Sequence, residues 1–416
     1  MKLSKNSEKL ILFFTKNKHK IGENQSTRTK NIIYKLYKDL NESFEYLNYL
    51  KNKKNYFTIS KKKISNAFEI KKPNNFNSKS FPEIIRKHID DQTMCEITYS
   101  FSLNNRIIKI YFFVEENYNT IDLESFNSYV DAIIMWLFML NKYASKQCVN
   151  SLTIYFYFTS LEKTLPNSNI TILNEMNVNT AFTTTCPKIS EIVVFRKEEW
   201  FKVLIHETFH NFALDFSDMN NTNLNNCSLN IFKVNSTVNI YEAYTEFWAE
   251  IINALFCSFF SLKDKSNVKL FLSNSEFFIN YEKTYSFFQL VKTLNFMELT
   301  YKDLYLNTEQ SKILRENKYK EKTNVLSYFV IKTVLINNYQ NFLLWCDENN
   351  LSLLQFKKTT TNQTNFCKFI EKSYKISSMI NSIDETSLFL KKLNKNKNKN
   401  LNYILSNLRM SICELG

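Results

Sequence analysis

The spacing of apolar residues changes character several times along the chain, and each change marks an element. Ile33, Leu36, Tyr37, Leu40, Phe44 and Leu47 recur at helical intervals, which predicts an amphipathic helix over about 28–51. From Cys95 the period drops to two. Ile97, Tyr99, Phe101 and Leu103 alternate with polar residues, Asn104-Asn105 can make a tight turn, and residues 107–114 run back as a second strand. Residues 125–145 carry Val130, Ile133, Ile134, Leu137 and Leu140 on a long apolar helix. The β-branched and aromatic run 152–158 reads as a third strand. Residues 177–185 (NVNTAFTTT), with polar residues interspersed and Pro187 closing them, suit the edge of a sheet. Residues 191–195 (EIVVF) form the fifth strand. The next helix opens with Lys197-Glu198-Glu199, whose acids suit a first turn. It runs to about Asp215, with Trp200, Val203, Leu204, Phe209 and Ala213 facing the core. A polar, asparagine-rich excursion, 217–238, leads to a second helix over 241–256. Beyond Ser261 helical spacing predicts segments near 276–294, 323–346 and 365–393. The basic run 391–400 (KKLNKNKNKN) reads as solvated or mobile. The order predicts an α+β protein in three regions. A Lys/Asn-rich, partly helical stretch covers 1–90, a sheet-bearing core 91–262, and a mainly helical subdomain 263–416.

Composition changes this picture little. Of 416 residues, 44% are hydrophobic and 15% aromatic, which is the make-up of a folded globular chain. Glycine occurs only at Gly22 and Gly416, so turns lean on asparagine, which tolerates left-handed backbone. The excess of lysine, asparagine, isoleucine and phenylalanine points to an AT-biased coding sequence. That bias also accounts for the net charge of +14, which would otherwise suggest an acidic partner. No glycine-bearing RNA-binding motif or zinc-finger spacing accompanies the charge, so no specific nucleic acid is expected as a partner. The cysteines (95, 148, 186, 227, 257, 346, 367 and 413) are scattered without a CxxC pair. With no cleavage site in the N-terminal residues, that pattern predicts a reduced intracellular protein that is not secreted. The longest apolar runs, 132–140 and 251–262, fall short of the ~20 residues of a membrane span and read as buried helices.

The chemistry concentrates in His206-Glu207-Thr208-Phe209-His210. Histidines four apart lie on one face of a helix, because about 3.6 residues complete a turn. Both imidazoles can reach one metal ion, with Glu207 leaning toward the same point. This is the HExxH arrangement of zinc metallopeptidases. Catalytic zinc takes three protein ligands and keeps a position for water, so one ligand is still to be found. His19 and His88 lie far upstream. Asp215 stands about 140° round a continuing helix from His210 and is a poor candidate. The second helix offers Glu242, Glu246 and Glu250, each four apart on one face of an otherwise apolar stretch. Such a row needs a cation or several donors to hold it. A di-iron bundle would need a second Glu-x-x-His, and Lys16 and Ile85 occupy the positions three before His19 and His88.

HETFH followed by an acidic helix resembles the gluzincin branch of zincin metallopeptidases, whose third zinc ligand is a glutamate on a later helix. In that branch a small residue commonly stands three after the ligand and an acid four after it, buttressing a histidine. Glu246-Phe-Trp-Ala249-Glu250 fits that pattern, and Glu242-Ala-Tyr-Thr245-Glu246 fits it in a shifted register. The resemblance implies Zn²⁺ held by His206, His210 and Glu246, with Glu250 behind them and Glu242 as the alternative third ligand. It implies Glu207 as the base that activates water against a peptide or protein substrate. It further implies a zincin-like core over roughly 95–260, with Asn179-Thr-Ala-Phe182 on the strand that binds substrate backbone. Gluzincins usually add a Tyr or His donor for the oxyanion, for which Tyr241, Tyr244 and Tyr328 are candidates. The stretch EEWFKVLIHETFHNFALDF with YEAYTEFWAE is also similar to metallopeptidase-like proteins of large DNA viruses, which would put the chain in the cytoplasm or in a virus particle. The competing expectation is a zincin-like protein that binds zinc without hydrolysing anything, its cleft filled by residues 217–238.

Overall fold

The computed structural model describes residues 1–53, 55–395 and 401–416. Its centre is a six-stranded mixed sheet of β1 (Thr58–Lys63), β2 (Cys95–Leu103), β3 (Arg106–Val114), β4 (Ser151–Phe158), β5 (Ala181–Thr183) and β6 (Ile189–Val194). The spatial order is β1-β2-β3-β4-β6-β5. β3, β4 and β6 run parallel, and the remaining neighbours are antiparallel. The β2–β3 turn is made by Asn104 and Asn105 at φ 50° and 63°, the pair of left-handed residues that a two-residue hairpin requires.

Alternation along the strands separates two cores. One face carries Ile97, Tyr99, Ile110, Phe112, Ile154, Phe156, Ile192 and Val194 against the main helical body. The other carries Tyr111, Phe113, Tyr155, Tyr157, Val193 and Phe195. Ile64, Phe76, Phe81, Ile85 and Ile89 cover it, the last two from helix α3 (Glu83–Gln92). Helices α1 (Lys5–Lys16) and α2 (Thr27–Asn52) belong to the main core, α2 packing against α4 (Leu123–Leu140).

The helix that carries HETFH, α6 (Trp200–Asn211), follows β6, as the residue pattern predicted, and packs against α8 (Tyr241–Ser261). The asparagine-rich excursion folds into its own helix, α7 (Thr222–Ile231). Beyond Ser261 the chain is helical. It comprises α9 (Val268–Phe296), α10 (Glu309–Lys318), a π-helical stretch Leu326–Ile331 that continues as α11 (Lys332–Asn337), α12 (Tyr339–Asn349), α13 (Thr360–Ser373) and α14 (Ser377–Lys395). The protein is therefore α+β. Of the basic run 391–400, residues 391–395 complete α14 and 396–400 lie outside the described residues.

Two expectations need correction. The cysteines are not all reduced and scattered: Cys148 pairs with Cys186 and Cys227 with Cys367 as disulfides, while Cys95, Cys257, Cys346 and Cys413 are buried and free. The first ties the loop after β5 to the loop before β4, and the second ties α7 to α13. The edge strand is also shorter than its composition suggested. Glu175–Val178 form a single helical turn, α5, capped by Asn174, and only Ala181–Thr183 pair with β6. Among the described residues no helix is long and apolar enough to cross a membrane.

Candidate metal centre

Helix α6 is locked in rotation from its core side. The Trp136 indole N–H donates to Thr208 Oγ1 at 2.8 Å, and the Trp136 ring stacks on Phe209. That leaves His206, Glu207 and His210 facing α8 and the open edge of the sheet. All three are nearly buried, at 6%, 7% and 9% exposure.

The imidazole Nε2 atoms of His206 and His210 stand 3.1 Å apart. Glu242 Oε2 lies 3.1 Å from the first and 3.4 Å from the second. These three atoms form a group that could hold a metal ion. Donors at ~2.0–2.2 Å from a tetrahedral ion are about 3.3 Å from one another, so the group has the dimensions of three corners of such a site. Each histidine's other nitrogen is engaged by a carboxylate. His206 Nδ1 is 2.8 Å from Glu246 Oε2, and His210 Nδ1 is 2.6 Å from Asp215 Oδ2. A proton held at each Nδ1 by its carboxylate leaves both Nε2 lone pairs directed at Glu242, the tautomer a metal ligand needs.

Of the two glutamates offered as third ligand, it is Glu242, the alternative, whose oxygen groups with both Nε2 atoms, while Glu246 lies at His206 Nδ1. Glu242 and Glu246 sit one turn apart on α8 with His206 between them, and each takes a different ring nitrogen. Glu246 also accepts a hydrogen bond from Lys202 Nζ at 2.6 Å, in a pair fully withdrawn from water. Glu250, expected behind a histidine, touches neither; it pairs with Lys332 Nζ at 2.7 Å. Asp215 reaches His210 because α6 ends at Asn211. Ala213 then turns the chain at φ 56°, so Asp215 does not lie where a continuing helix would put it. Ser217 and Thr245 hydroxyls donate to Asp215 at 3.0 and 3.4 Å and hold it there.

Glu207 is the exception. Its carboxylate has no hydrogen-bond or ion-pair partner among the described residues, and burial raises its pKa against the pull of the two imidazoles. Burial lowers the His210 pKa, but the charges of Asp215 and Glu242 outweigh it and leave it well above its ordinary value. Glu242 and Glu246 are held below the usual carboxylate range despite burial, Glu242 chiefly by His210 and Glu246 chiefly by Lys202.

Of the three candidate tyrosines, Tyr328 stands in the site. Its hydroxyl donates to Glu242 Oε2 at 2.9 Å, and its ring lies 5.9 Å from that of His206. Tyr241 packs edge-on to His210, and Tyr244 is buried, donating to the Leu354 carbonyl. Asn324 donates to Glu242 Oε1 at 3.4 Å, and Thr323 donates to Asn179 Oδ1 at 2.8 Å. The segment around Thr323–Tyr328 thus spans from α8 to the edge strand. Residues 217–238 do not line the cavity that opens beside His206 and Glu207.

The edge strand presents free backbone. Phe195 N donates to the Thr180 carbonyl at 2.8 Å, and Phe182 pairs with Val193 two residues on. By antiparallel alternation, the N–H and C=O of the intervening Ala181 point away from β6 toward the open edge. Comparison of the chain with protein-family models, with curated proteins and with solved structures gives no match.

Proposed function

We propose that this protein is a zinc-dependent metallopeptidase of the gluzincin type. The observation that carries the reading is the convergence of His206 Nε2, His210 Nε2 and Glu242 Oε2 within 3.1–3.4 Å, with an unpartnered Glu207 carboxylate beside them. Two neutral imidazoles and one carboxylate fit Zn²⁺, and a fourth position left to water is the mark of a catalytic site. A bound zinc ion would make water acidic enough to attack near neutral pH and would polarise the scissile carbonyl. Glu207 takes the proton of the attacking water on its carboxylate and returns it to the leaving amine. Tyr328, whose hydroxyl reaches Glu242, is the proposed donor to the developing oxyanion. The Ala181 N–H and C=O receive an extended substrate as an added strand, which sets the scissile bond against Glu207. Glu246 and Asp215 keep the two imidazoles in the required tautomer.

The narrowness of the cleft favours a second reading, a zincin-like protein that holds zinc and serves structure or interaction. Metal analysis and a peptide-library digest separate the two. The peptidase reading expects one zinc per chain and cleavage by the native protein. It expects cleavage to fall by at least about 10³-fold in Glu207→Gln, with zinc content unchanged. Undiminished cleavage in that variant, or none by the zinc-loaded native protein, sinks it.

A further inference from the structure

One disulfide lies against the end of the helix that carries the two histidines. Cys148, buried in the loop before β4, is bonded to Cys186 in the turn between β5 and β6, and Cys186 is the partly exposed member of the pair. The Cys186 backbone is left-handed, at φ 51°, a conformation that a residue with a Cβ ordinarily avoids. Its N–H donates to the Asn211 carbonyl at 3.1 Å, and Asn211 is the last residue of α6, directly after His210. The Asn211 side-chain amide returns to the same turn, donating to the Thr184 carbonyl at 3.1 Å and to Thr183 Oγ1 at 2.9 Å.

A second path runs through side chains. Thr185 Oγ1 lies 3.0 Å from Ser217 Oγ. The Ser217 hydroxyl spends its one proton on Asp215 Oδ1 at 3.0 Å, so Thr185 is the donor between the two. Asp215 Oδ2 in turn holds His210 Nδ1 at 2.6 Å. The residue next to Cys186 is thus joined to a metal-facing imidazole by an unbroken series of hydrogen bonds. The flanking backbone needs no disulfide to stay in place. Val149 N–H donates to the Pro187 carbonyl and Asn150 N–H to that of Lys188, both at 2.8 Å, and the β4–β6 ladder begins directly after them. Cleaving the bond therefore leaves the sheet paired and frees the turn 184–186, where Cys186 can then leave its left-handed backbone.

We propose that the Cys148–Cys186 disulfide is a redox latch on the metal centre. Its reduction releases the 184–186 turn, withdraws Thr185 from Ser217 and loosens Asp215 on His210, so the reduced protein holds its metal more weakly. The reductant is a dithiol. One thiolate attacks Cys186 Sγ and expels the Cys148 thiolate, which takes up a proton. The second thiolate then attacks the reductant's sulfur in the mixed disulfide and expels Cys186, leaving two protein thiols and an oxidised dithiol. The latch rests on the zinc site of the proposed function but not on turnover, so metal affinity tests it. Zinc-loaded full-length protein is competed against a chromophoric chelator, oxidised and after treatment with a water-soluble phosphine, because thiolates of a dithiol would themselves take zinc. Reduction is expected to weaken zinc by about 10–100-fold, the effect of disturbing an outer partner of a liganding histidine. The Cys148→Ser/Cys186→Ser variant should match the reduced native protein and ignore the phosphine, whereas Cys227→Ser/Cys367→Ser should keep the full response. Thr185→Val cuts the side-chain path with the disulfide intact. It should weaken zinc in the oxidised protein and shrink the response, and it covers the case in which the double variant folds poorly. Equal affinity in the oxidised and reduced native protein overturns the latch, as does a response that survives without Cys148 and Cys186. If cleavage persists alongside equal affinity, the latch alone is lost. Failure of the oxidised protein to bind zinc removes the metal centre and the latch together.

Discussion

His206 is read from two sides, and the two glutamates of α8 have different duties because of it. Glu242 faces Nε2 and Glu246 faces Nδ1, so neutralising them should give different results. Glu242→Ala should abolish measurable zinc retention after dialysis, since only two donors remain. Glu246→Gln should retain zinc with affinity weakened by about 10–100-fold, the usual effect of losing an outer partner of a liganding histidine. Zinc competition with a chromophoric chelator checks both, and the reverse ranking would restore Glu246 as the third ligand. Lys202 extends the chain of contacts. It is 2% exposed, pairs with Glu246 at 2.6 Å and approaches Glu199 at 3.9 Å. Lys202→Met leaves the nearly buried Glu246 carboxylate with His206 Nδ1 as its remaining partner, and breaking a buried pair from one side costs about 3–5 kcal/mol. Chemical denaturation of the zinc-free protein should register that loss. A change under about 1 kcal/mol would mean that Glu246 is solvated or protonated.

Elements with a strong period were legible in the residues alone. The β2–β3 hairpin, β4, α6 and α8 all fall where alternation or helical spacing put them, and so does α2. What escaped was decided by distant partners. β1 reads TISKKK, with five of six residues exposed or nearly so, and only pairing with β2 makes it a strand. The choice between Glu242 and Glu246 depends on the rotation of α8 against α6, since the two residues share a face. Asp215 was missed because Ala213 makes the left-handed turn that glycine usually announces. The burial of Lys202 and Lys332 has no local signal, as a lysine on an apolar helix face is ordinarily a surface residue. His19, just past α1, shows the same long-range logic. Its ring stacks on Phe389 of α14 at 4.3 Å, and its Nε2 is 3.3 Å from Thr386 Oγ1. Burial lowers its pKa from 6.5 to about 4. The folded protein thus holds it neutral, while the unfolded chain takes up a proton below pH 6.5. Its contribution to stability is complete above pH 6.5 and is lost as pH falls toward 4, by about 3 kcal/mol in all. Denaturation midpoints at pH 7.5 and 4.5 should therefore diverge more in the native protein than in His19→Gln. Parallel slopes would show that His19 charges freely in the fold.

At the scale of the whole molecule, residues 408–415 close the structure. They lie almost wholly buried and are bound, backbone group by backbone group, by elements far away in sequence. Glu199 takes the N–H groups of Met410 and Ser411. Glu282 of α9 takes those of Ile412 and Cys413 at 3.0 and 2.9 Å and the Ser411 hydroxyl at 2.6 Å. Asn253 of α8 donates to the Cys413 carbonyl at 2.8 Å, and the Trp200 indole donates to that of Leu415 at 3.1 Å. Bridges tie the ends of this segment, Leu415 to Leu3 and the preceding Asn407 to Thr164, and the buried residues between them need such acceptors, because an unpaired N–H in the interior costs about 1–3 kcal/mol. The two carboxylates thus do for this segment what a neighbouring strand would do in a sheet, and they join the start of α6 to the middle of α9. Glu282→Ala should leave the buried Ile412 N–H without an acceptor, while the Cys413 N–H keeps Ser411 Oγ and the Ser411 hydroxyl keeps the Cys413 carbonyl, and should destabilise the protein by about 1–3 kcal/mol. Glu282→Gln, which keeps one acceptor oxygen, should lose less. Exposed Glu8→Ala, on α1, should change stability by less than about 0.5 kcal/mol. The measurement is urea denaturation followed by tryptophan fluorescence, suited to the purpose because Trp200 and Trp248 are buried in the same core. A single cooperative transition shifted to lower urea in Glu282→Ala is the expected result. An early separate loss of the Trp200 signal would instead mean that the segment detaches by itself and the rest of the core stands without it.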